Sequence, residues 1–491
     1  MDKLRILEAA SEVAPFARTG GLGDVLGSLP KALAKLGHDV KVAMPRYGSI
    51  DPESFNLTPA NIEFAVEVAA KPHRCRVLHR RDQKAKVDYY FLENDEYFGR
   101  DEFYLDPKTG KDFADNDERF VFFGRAVLEL AKRLNWSPDI VHAHDWQAAV
   151  IPAYLRTFYA GEPAFANARS VLTIHNLGYQ GLFPGKRFSI LGLPDKMFYA
   201  VTGPYEFFGK VNFLKGGIAT ADWITTVSGR YAQEIQSDPD FGCGLEGVLK
   251  ERSGRLTGIL NGVDYLTWSP SRDKEIPYRF AMANLSGKRQ NKIELLRWAG
   301  LPVRTSSPLI GMVSRLTDQK GWDLVAEAAD DLFAMNLQMI VLGNGEAKYQ
   351  QLLQKLEKKF PDKVRAYFTF DDGLAHRIEA AADMFLMPSR WEPCGLNQMY
   401  SLKYGTVPIV REVGGLADTI VPYGADGDKG NGFVFKEYTA EAMLDAVKDA
   451  VKLFAGRRTW TKLMKAGMKA DFSWDASARQ YVDLFRRLTA R

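Results

Sequence analysis

Short apolar runs alternate with longer stretches of helical period along most of the chain. Residues 4–10, centred on Ile6 and Leu7, form the first run, and 40–44, 88–92, 140–143, 171–174 and 224–227 follow. Each is too short for a buried helix, so each predicts a strand. Between them lie helical patterns at 25–36 and at 120–134, where Val121, Phe122, Val127, Leu128 and Ala131 share a face. Strand and helix in alternation predict parallel strands joined by crossover helices. The pattern lapses at 265–285, a polar, mixed stretch with Pro270 and Pro277 that predicts an interdomain linker. It resumes with a helix at 288–298 and strands at 309–313, 339–342, 366–370, 384–387, 407–410 and 433–435, and ends on a helix at 477–488 with Tyr481, Leu484, Phe485 and Leu488 on its packed face. A chain of 491 residues exceeds one core, so the lapse and restart predict two α/β domains with doubly wound parallel sheets.

Composition narrows the function without naming it. Hydrophobic residues make up 46% and charged residues 26%, as in an ordinary globular protein. With 65 basic against 61 acidic residues, the net charge of +4 gives no reason to expect nucleic acid or an anionic membrane as partner. Cys75, Cys243 and Cys394 are too few and too scattered for a disulfide framework, which favours a reducing compartment. The start lacks the pattern of a signal peptide and no stretch has the length of a membrane span, so a cytoplasmic location is expected.

The candidate chemistry sits where predicted strands end. After the run at 384–387 comes Glu392-Pro393-Cys394-Gly395-Leu396-Asn397, with a helix expected from 396 to 404. Glu392 is then a carboxylate at a strand's carboxyl end, and the N–H groups of Gly395, Leu396 and Asn397 open a helix, a ready phosphate site. The same Glu could instead only complement the helix dipole. Arg315 ends the strand at 309–313, and Lys320 follows it closely. In the first half, Thr19-Gly20-Gly21-Leu22-Gly23-Asp24 joins strand to helix; its glycines permit close approach of a ligand or tight helix packing. Gly414-Gly415-Leu416-Ala417-Asp418 echoes that loop, and facing glycine loops would line a cleft between domains. His142 and His144 close one strand on one face, a spacing that also suits a metal if a third ligand exists. Trp146 could stack on a sugar or fill a core. His175 ends another strand, at the edge where open α/β sheets bind ligands. Asp426-Gly427-Asp428 reads as a solvated turn.

Taken together, seven segments are recognisable: Arg18-Thr19-Gly20-Gly21-Leu22, His142-Ala143-His144-Asp145-Trp146, His175-Asn176-Leu177, Asn261-Gly262-Val263-Asp264, Ser314-Arg315-Leu316 with Gln319-Lys320-Gly321, Glu392-Pro393-Cys394-Gly395-Leu396, and Gly414-Gly415-Leu416-Ala417-Asp418. In this order the chain resembles bacterial glycogen synthases and plant starch synthases over nearly its whole length. The resemblance implies a GT-B fold of two Rossmann-like domains facing across a cleft: an acceptor domain at 1–256, a nucleotide-sugar domain at 257–470, and a last helix, 471–491, crossing back to the first. It implies transfer of glucose from ADP-glucose to the non-reducing end of an α-1,4-glucan with retention, without metal or pyridoxal phosphate. Carried over by motif, Glu392, Arg315, Lys320, His175 and Asp145 are catalytic; Arg18, Gly20, Gly21, Asn261, Phe370, Cys394, Gly395, Leu396 and Asn397 bind the donor; Asp24, Trp146, Asn176 and Phe113 bind the acceptor. The sequence departs from the family where Arg18 replaces a usual lysine, Asn397 a frequent threonine and Phe370 a common tyrosine. These departures bear on donor preference rather than on reaction class.

Overall fold

The first predicted strand, Arg5–Ala9, is the middle member of a nine-stranded sheet. The computed structural model describes residues 3–199, 203–424 and 430–490; Asp426-Gly427-Asp428 lies outside them. The chain divides into two compact units, one of residues 1–227, 232–262 and 474–491, the other of 228–231 and 263–473.

In the first unit the strands lie in the order Leu256–Gly258, Trp223–Thr226, Arg169–Ile174, Ile140–His144, Arg5–Ala9, Asp39–Pro45 and Val87–Glu93, all parallel. An antiparallel hairpin, Thr58–Val68 and Lys71–Asp82, closes the edge. That hairpin is absent from the strands expected above. It alternates buried Phe64, Val66 and Val68 with polar neighbours, a half-buried pattern rather than an apolar run, and packs beneath the helix Asn116–Arg133. Strand Arg5–Ala9 sits between Asp39–Pro45 and Ile140–His144, so the connections diverge there in a topological switch point.

The second unit has six parallel strands in the order Val364–Tyr367, Gln338–Leu342, Leu309–Val313, Met384–Met387, Val407–Arg411 and Phe433–Phe435. Its switch point lies between Leu309–Val313 and Met384–Met387. The strand expected at 366–370 ends at Tyr367; Phe370 stands in the following turn, 74% exposed, ahead of the helix Asp372–Ala381 that Asp371 caps through the Leu374 N–H.

The stretch read as a linker belongs to the second unit. Trp268 stacks between His376 and Tyr400, with ring centroids 3.7 and 3.9 Å away, and Asp273 accepts hydrogen bonds from His376 and Tyr404. A few buried aromatic and acidic groups anchor an otherwise polar segment, which periodicity does not reveal. The chain returns to the first unit at Trp474, and the helix Trp474–Thr489 lays Tyr481 and Phe485 against the His142 ring, each at 5.5 Å between centroids. No helix among the described residues is long and apolar enough to cross a membrane.

Candidate active site

The loop leaving Met384–Met387 carries Glu392, only 6% exposed. Its Oε2 accepts hydrogen bonds from Lys320 Nζ at 2.5 Å and Ser389 Oγ at 2.9 Å. Lys320 comes from the neighbouring strand end across the switch point. There Gly321 takes φ +74°, and a Cβ on it would stand 2.0 Å from the Pro388 carbonyl, so only glycine lets this loop press onto the next. Gln319 locks the pair of loops together: its Nε2 donates to the Trp391 carbonyl at 3.1 Å and its own carbonyl accepts from the Arg390 N–H at 2.8 Å. Arg315 shares the loop, with Nη2 3.4 Å from Gln319 Oε1.

Past Glu392, Cys394 is buried and Gly395 turns the chain at φ +70°. The helix is Asn397–Tyr404, with Leu396 at its N-cap, an apolar side chain that cannot accept from its first N–H groups. The Asn397 amide is not idle: Nδ2 donates to the Val313 carbonyl at 2.6 Å, tying the helix start to the end of Leu309–Val313. Gly414 and Gly415 wedge against this turn. A Cβ on Gly414 would lie 2.0 Å from the Glu392 carbonyl and one on Gly415 2.0 Å from that of Cys394. Gly20 and Gly21 have no atom within 4 Å of such a Cβ. The two glycine loops thus share letters but differ in use: one is a packing wedge, the other is open.

In the first unit, the loop after Arg5–Ala9 is drawn together by Glu12, which the sequence reading passed over. Its carboxylate accepts from the Thr19 N–H at 2.5 Å, the Thr19 hydroxyl at 2.8 Å and the Tyr104 hydroxyl at 2.7 Å. A carboxylate just past a strand's carboxyl end was the available signal. Arg18 pairs with Asp24, Nε to Oδ1 at 2.8 Å. The helix Gly21–Lys35 starts from extended Gly20 without a side-chain cap.

Asp145 follows Ile140–His144 with φ +55°, an uncommon conformation for a residue with a Cβ. Its Oδ1 accepts from the backbone N–H of His175 at 2.7 Å. Burial pushes its carboxyl up to about 7, against the backbone N–H groups of His175 and Asn176. Asp145 therefore supports the backbone of His175, whereas the ring is held elsewhere: His175 Nε2 lies 3.0 Å from His144 Nδ1. His144 Nε2 and His142 Nδ1 both face Glu8 Oε2, at 2.8 and 2.9 Å. All three of Glu8, His142 and His144 are fully buried. Burial acts to raise the Glu8 carboxyl, yet the two histidines outweigh it and hold it near about 2. Burial, and then the neighbouring His142, lowers His144 to about 4; burial, and then His144, takes His175 well below its usual range.

Glu8 supplies the third donor that a metal at His142 and His144 would require, all three donor atoms lying within 4.8 Å of one another. Two ligands on a tetrahedral zinc ion stand about 3.3 Å apart, however, given bonds of about 2.0–2.1 Å. Both separations from Glu8 are shorter than that: 2.8 Å for His144, a hydrogen bond, and 2.9 Å for His142.

The remaining expected positions differ in their surroundings. Trp146 is 8% exposed and packs against Phe120, Phe183 and Phe213. Asn176 accepts from the Gly178 N–H, and Phe113 lies under the guanidinium groups of Arg100 and Arg119. Asn261 is buried with an amide oxygen that meets no donor among the described residues.

Comparison with known proteins agrees with this geometry. The starch synthase catalytic domain matches residues 5–251, and glycosyl transferases group 1 matches residues 299–463. The glycogen synthase of Koribacter versatilis is 48% identical over 484 residues, covering 99% of this chain and 98% of that one. That of Thermotoga maritima is 43% identical over 500 residues, covering 99% of both. Among solved structures, the catalytic domain of starch synthase IV from Arabidopsis thaliana, bound to ADP and acarbose, superposes with a TM-score of 0.91 at 32% identity over all of both chains. Sucrose-phosphate synthase from Thermosynechococcus elongatus, at 18% identity and a TM-score of 0.61 over 99% of this chain and all of that one, shares the fold. Two Rossmann-like units of the GT-B kind, a buried carboxylate–ammonium pair at a switch point, and identity near one half along the full length place the chain in the glycogen and starch synthase family of glycosyltransferases.

Proposed function

We propose that the chain transfers glucose from ADP-glucose to the non-reducing end of an α-1,4-glucan, keeping the anomeric configuration. The observation that carries this reading is the Glu392–Lys320 pair beside an uncapped helix start. Cleaving the sugar–phosphate bond leaves negative charge on a diphosphate and positive character on the sugar ring. Lys320 and Arg315, with the N–H groups at Gly395, Leu396 and Asn397, meet the first; Glu392 meets the second. An ion-paired Glu392 is a poor nucleophile, which favours front-face displacement, the departing phosphate taking the acceptor's proton, over the two-carboxylate covalent route. The exposed ring of Phe370 stacks on adenine, and Cys394 shapes the turn beneath the diphosphate.

In the first unit, Arg18, Gly20, Gly21 and Asn261 serve the donor. His175, held in place by Asp145, binds a glucose hydroxyl, and Asp24, Asn176 and Phe113 serve the glucan. The ADP and acarbose in the Arabidopsis relative support both halves of the assignment. Neither a divalent metal nor pyridoxal phosphate takes part. The test is incorporation of labelled glucose into glycogen from ADP-glucose and from UDP-glucose, with and without chelator. We expect incorporation from ADP-glucose that chelation does not alter and a weaker rate from UDP-glucose. Glu392→Ala abolishes transfer while glucan affinity is retained; full activity in that variant refutes the assignment.

A further inference from the structure

We propose that Glu8 is a positioning residue that dictates, through His144, which ring nitrogen of His175 carries its proton. The importance of His175 to catalysis rests on the function proposed above; the order of the hydrogen bonds rests on geometry alone. Glu8 Oε2 faces His142 Nδ1 at 2.9 Å and His144 Nε2 at 2.8 Å. A carboxylate has no proton to give, so His144 Nε2 donates to it, whereas His142 Nδ1 stands close to it without the alignment of a hydrogen bond. A neutral imidazole has one N–H, which makes Nδ1 of His144 an acceptor. On the His142 arm, Nε2 lies 2.6 Å from the Thr173 hydroxyl, which lies 2.5 Å from that of Thr225. On the other arm, His144 Nδ1 accepts from His175 Nε2 at 3.0 Å. His175 thus keeps its proton on Nε2 and presents a bare Nδ1, which accepts a hydrogen bond from a substrate hydroxyl and donates none. Burial, which keeps His144 and His175 neutral, fits this order.

Glu8→Gln retains an oxygen able to accept the His144 N–H, whereas Glu8→Leu removes the acceptor that sets the direction of the chain. The experiment is nitrogen NMR of the full-length protein with labelled imidazoles, the His175 signals among its seven histidines being assigned by their loss in His175→Asn. We expect protonated Nε2 and bare Nδ1 on His175 in the wild type and in Glu8→Gln, and a mixture or the opposite tautomer in Glu8→Leu. Turnover falls about 10-fold in Glu8→Leu, the scale for groups that orient a functional histidine, with the KM for glucan little changed, and Glu8→Gln restores it. A proton on Nδ1 in the wild type overturns the inference, as does an unchanged tautomer in Glu8→Leu. Stoichiometric zinc retained by the wild type and lost in Glu8→Leu also overturns it, because the cluster would then be a metal site. If Glu8→Leu does not fold, the wild-type and Glu8→Gln spectra decide. Should the expected tautomer be found while His175→Ala turns over normally, the role proposed for His175 fails and the hydrogen-bond order stands.

Discussion

At Glu392 two opposite demands meet. A carboxylate able to stabilise a developing cation must be dehydrated, and a dehydrated carboxylate alone is costly. Lys320 resolves the conflict by direct pairing, and Ser389 supplies a second donor to the same oxygen. Under the proposed function, removing Lys320 takes away a cation that serves both the buried acid and the departing diphosphate. Lys320→Ala should therefore lower kcat by about 10²–10³, or about 3 kcal/mol, the scale of a lost oxyanion donor. Glucan binding should stay near wild type; initial rates and direct glucan titration separate the two effects. Lys320→Arg should recover only part of the loss, since a planar fork does not replace a compact ammonium at 2.5 Å. The residue types at these positions were legible, because a strand's carboxyl end is where an open α/β sheet places its chemistry. Their partners were not: the resemblance names Asp145 and His175 together, but not that Asp145 holds the backbone N–H of His175 and leaves the ring to His144.

Glycine loops show what an element contributes beyond its residues. The helix Gly414–Thr419 begins against the backbone of the Glu392 turn, and the Gly415 N–H donates to the Glu392 carbonyl at 3.1 Å. In Gly415→Ala the new Cβ, 2.0 Å from the Cys394 carbonyl, can be relieved only by shifting that turn. We expect a loss of about 1–3 kcal/mol in stability, as for overpacking, together with a collapse in turnover. Gly20→Ala meets no atom within 4 Å, and Gly20 has the extended φ of −175° that any residue adopts. Its melting temperature should be unchanged and its effect confined to a raised KM for the donor. Calorimetry alongside kinetics on the two variants checks the contrast; equal melting losses would contradict it.

Over the whole molecule, the buried Glu8–His144 network makes the first unit sensitive to acid. The folded-state value of Glu8, about 2, lies below its ordinary 4.5, and that of His144, about 4, lies below 6.5. In both cases the unfolded chain binds a proton before the folded one does, so stability rises with pH across these windows. On acidification, the contribution of His144 is lost from 6.5 towards about 4, and that of Glu8 from 4.5 towards about 2. Asp145, raised from 3.8 to about 7, acts the other way over the same window, so the His144 contribution is read against His144→Gln: between about pH 6.5 and about pH 4.5 the amides of Ile140–His144, corrected for intrinsic exchange rates, should lose more protection in the wild type than in the variant. The helix Trp474–Thr489 belongs to the same unit and covers the His142 ring, so this response includes residues from both ends of the chain.

What the sequence determined by itself was the alternation of elements and the placement of charged residues at their ends. An apolar run bounded by turns reports that a strand is buried on both faces, and a helical period reports one covered face; both signals are local. The hairpin Thr58–Val68 with Lys71–Asp82 escaped notice because half its residues face water, and 265–285 passed for a linker because Trp268 is its one large stacking ring. Only the tertiary structure decided that Trp146 packs against Phe120, Phe183 and Phe213, that Gly414 and Gly415 wedge a turn while Gly20 and Gly21 stand open, and that Glu8 reaches His144 across 136 positions of chain. Such pairings follow from the order of strands in a sheet, which crossover connections and packing set between segments far apart in sequence, and no periodicity within one segment records them.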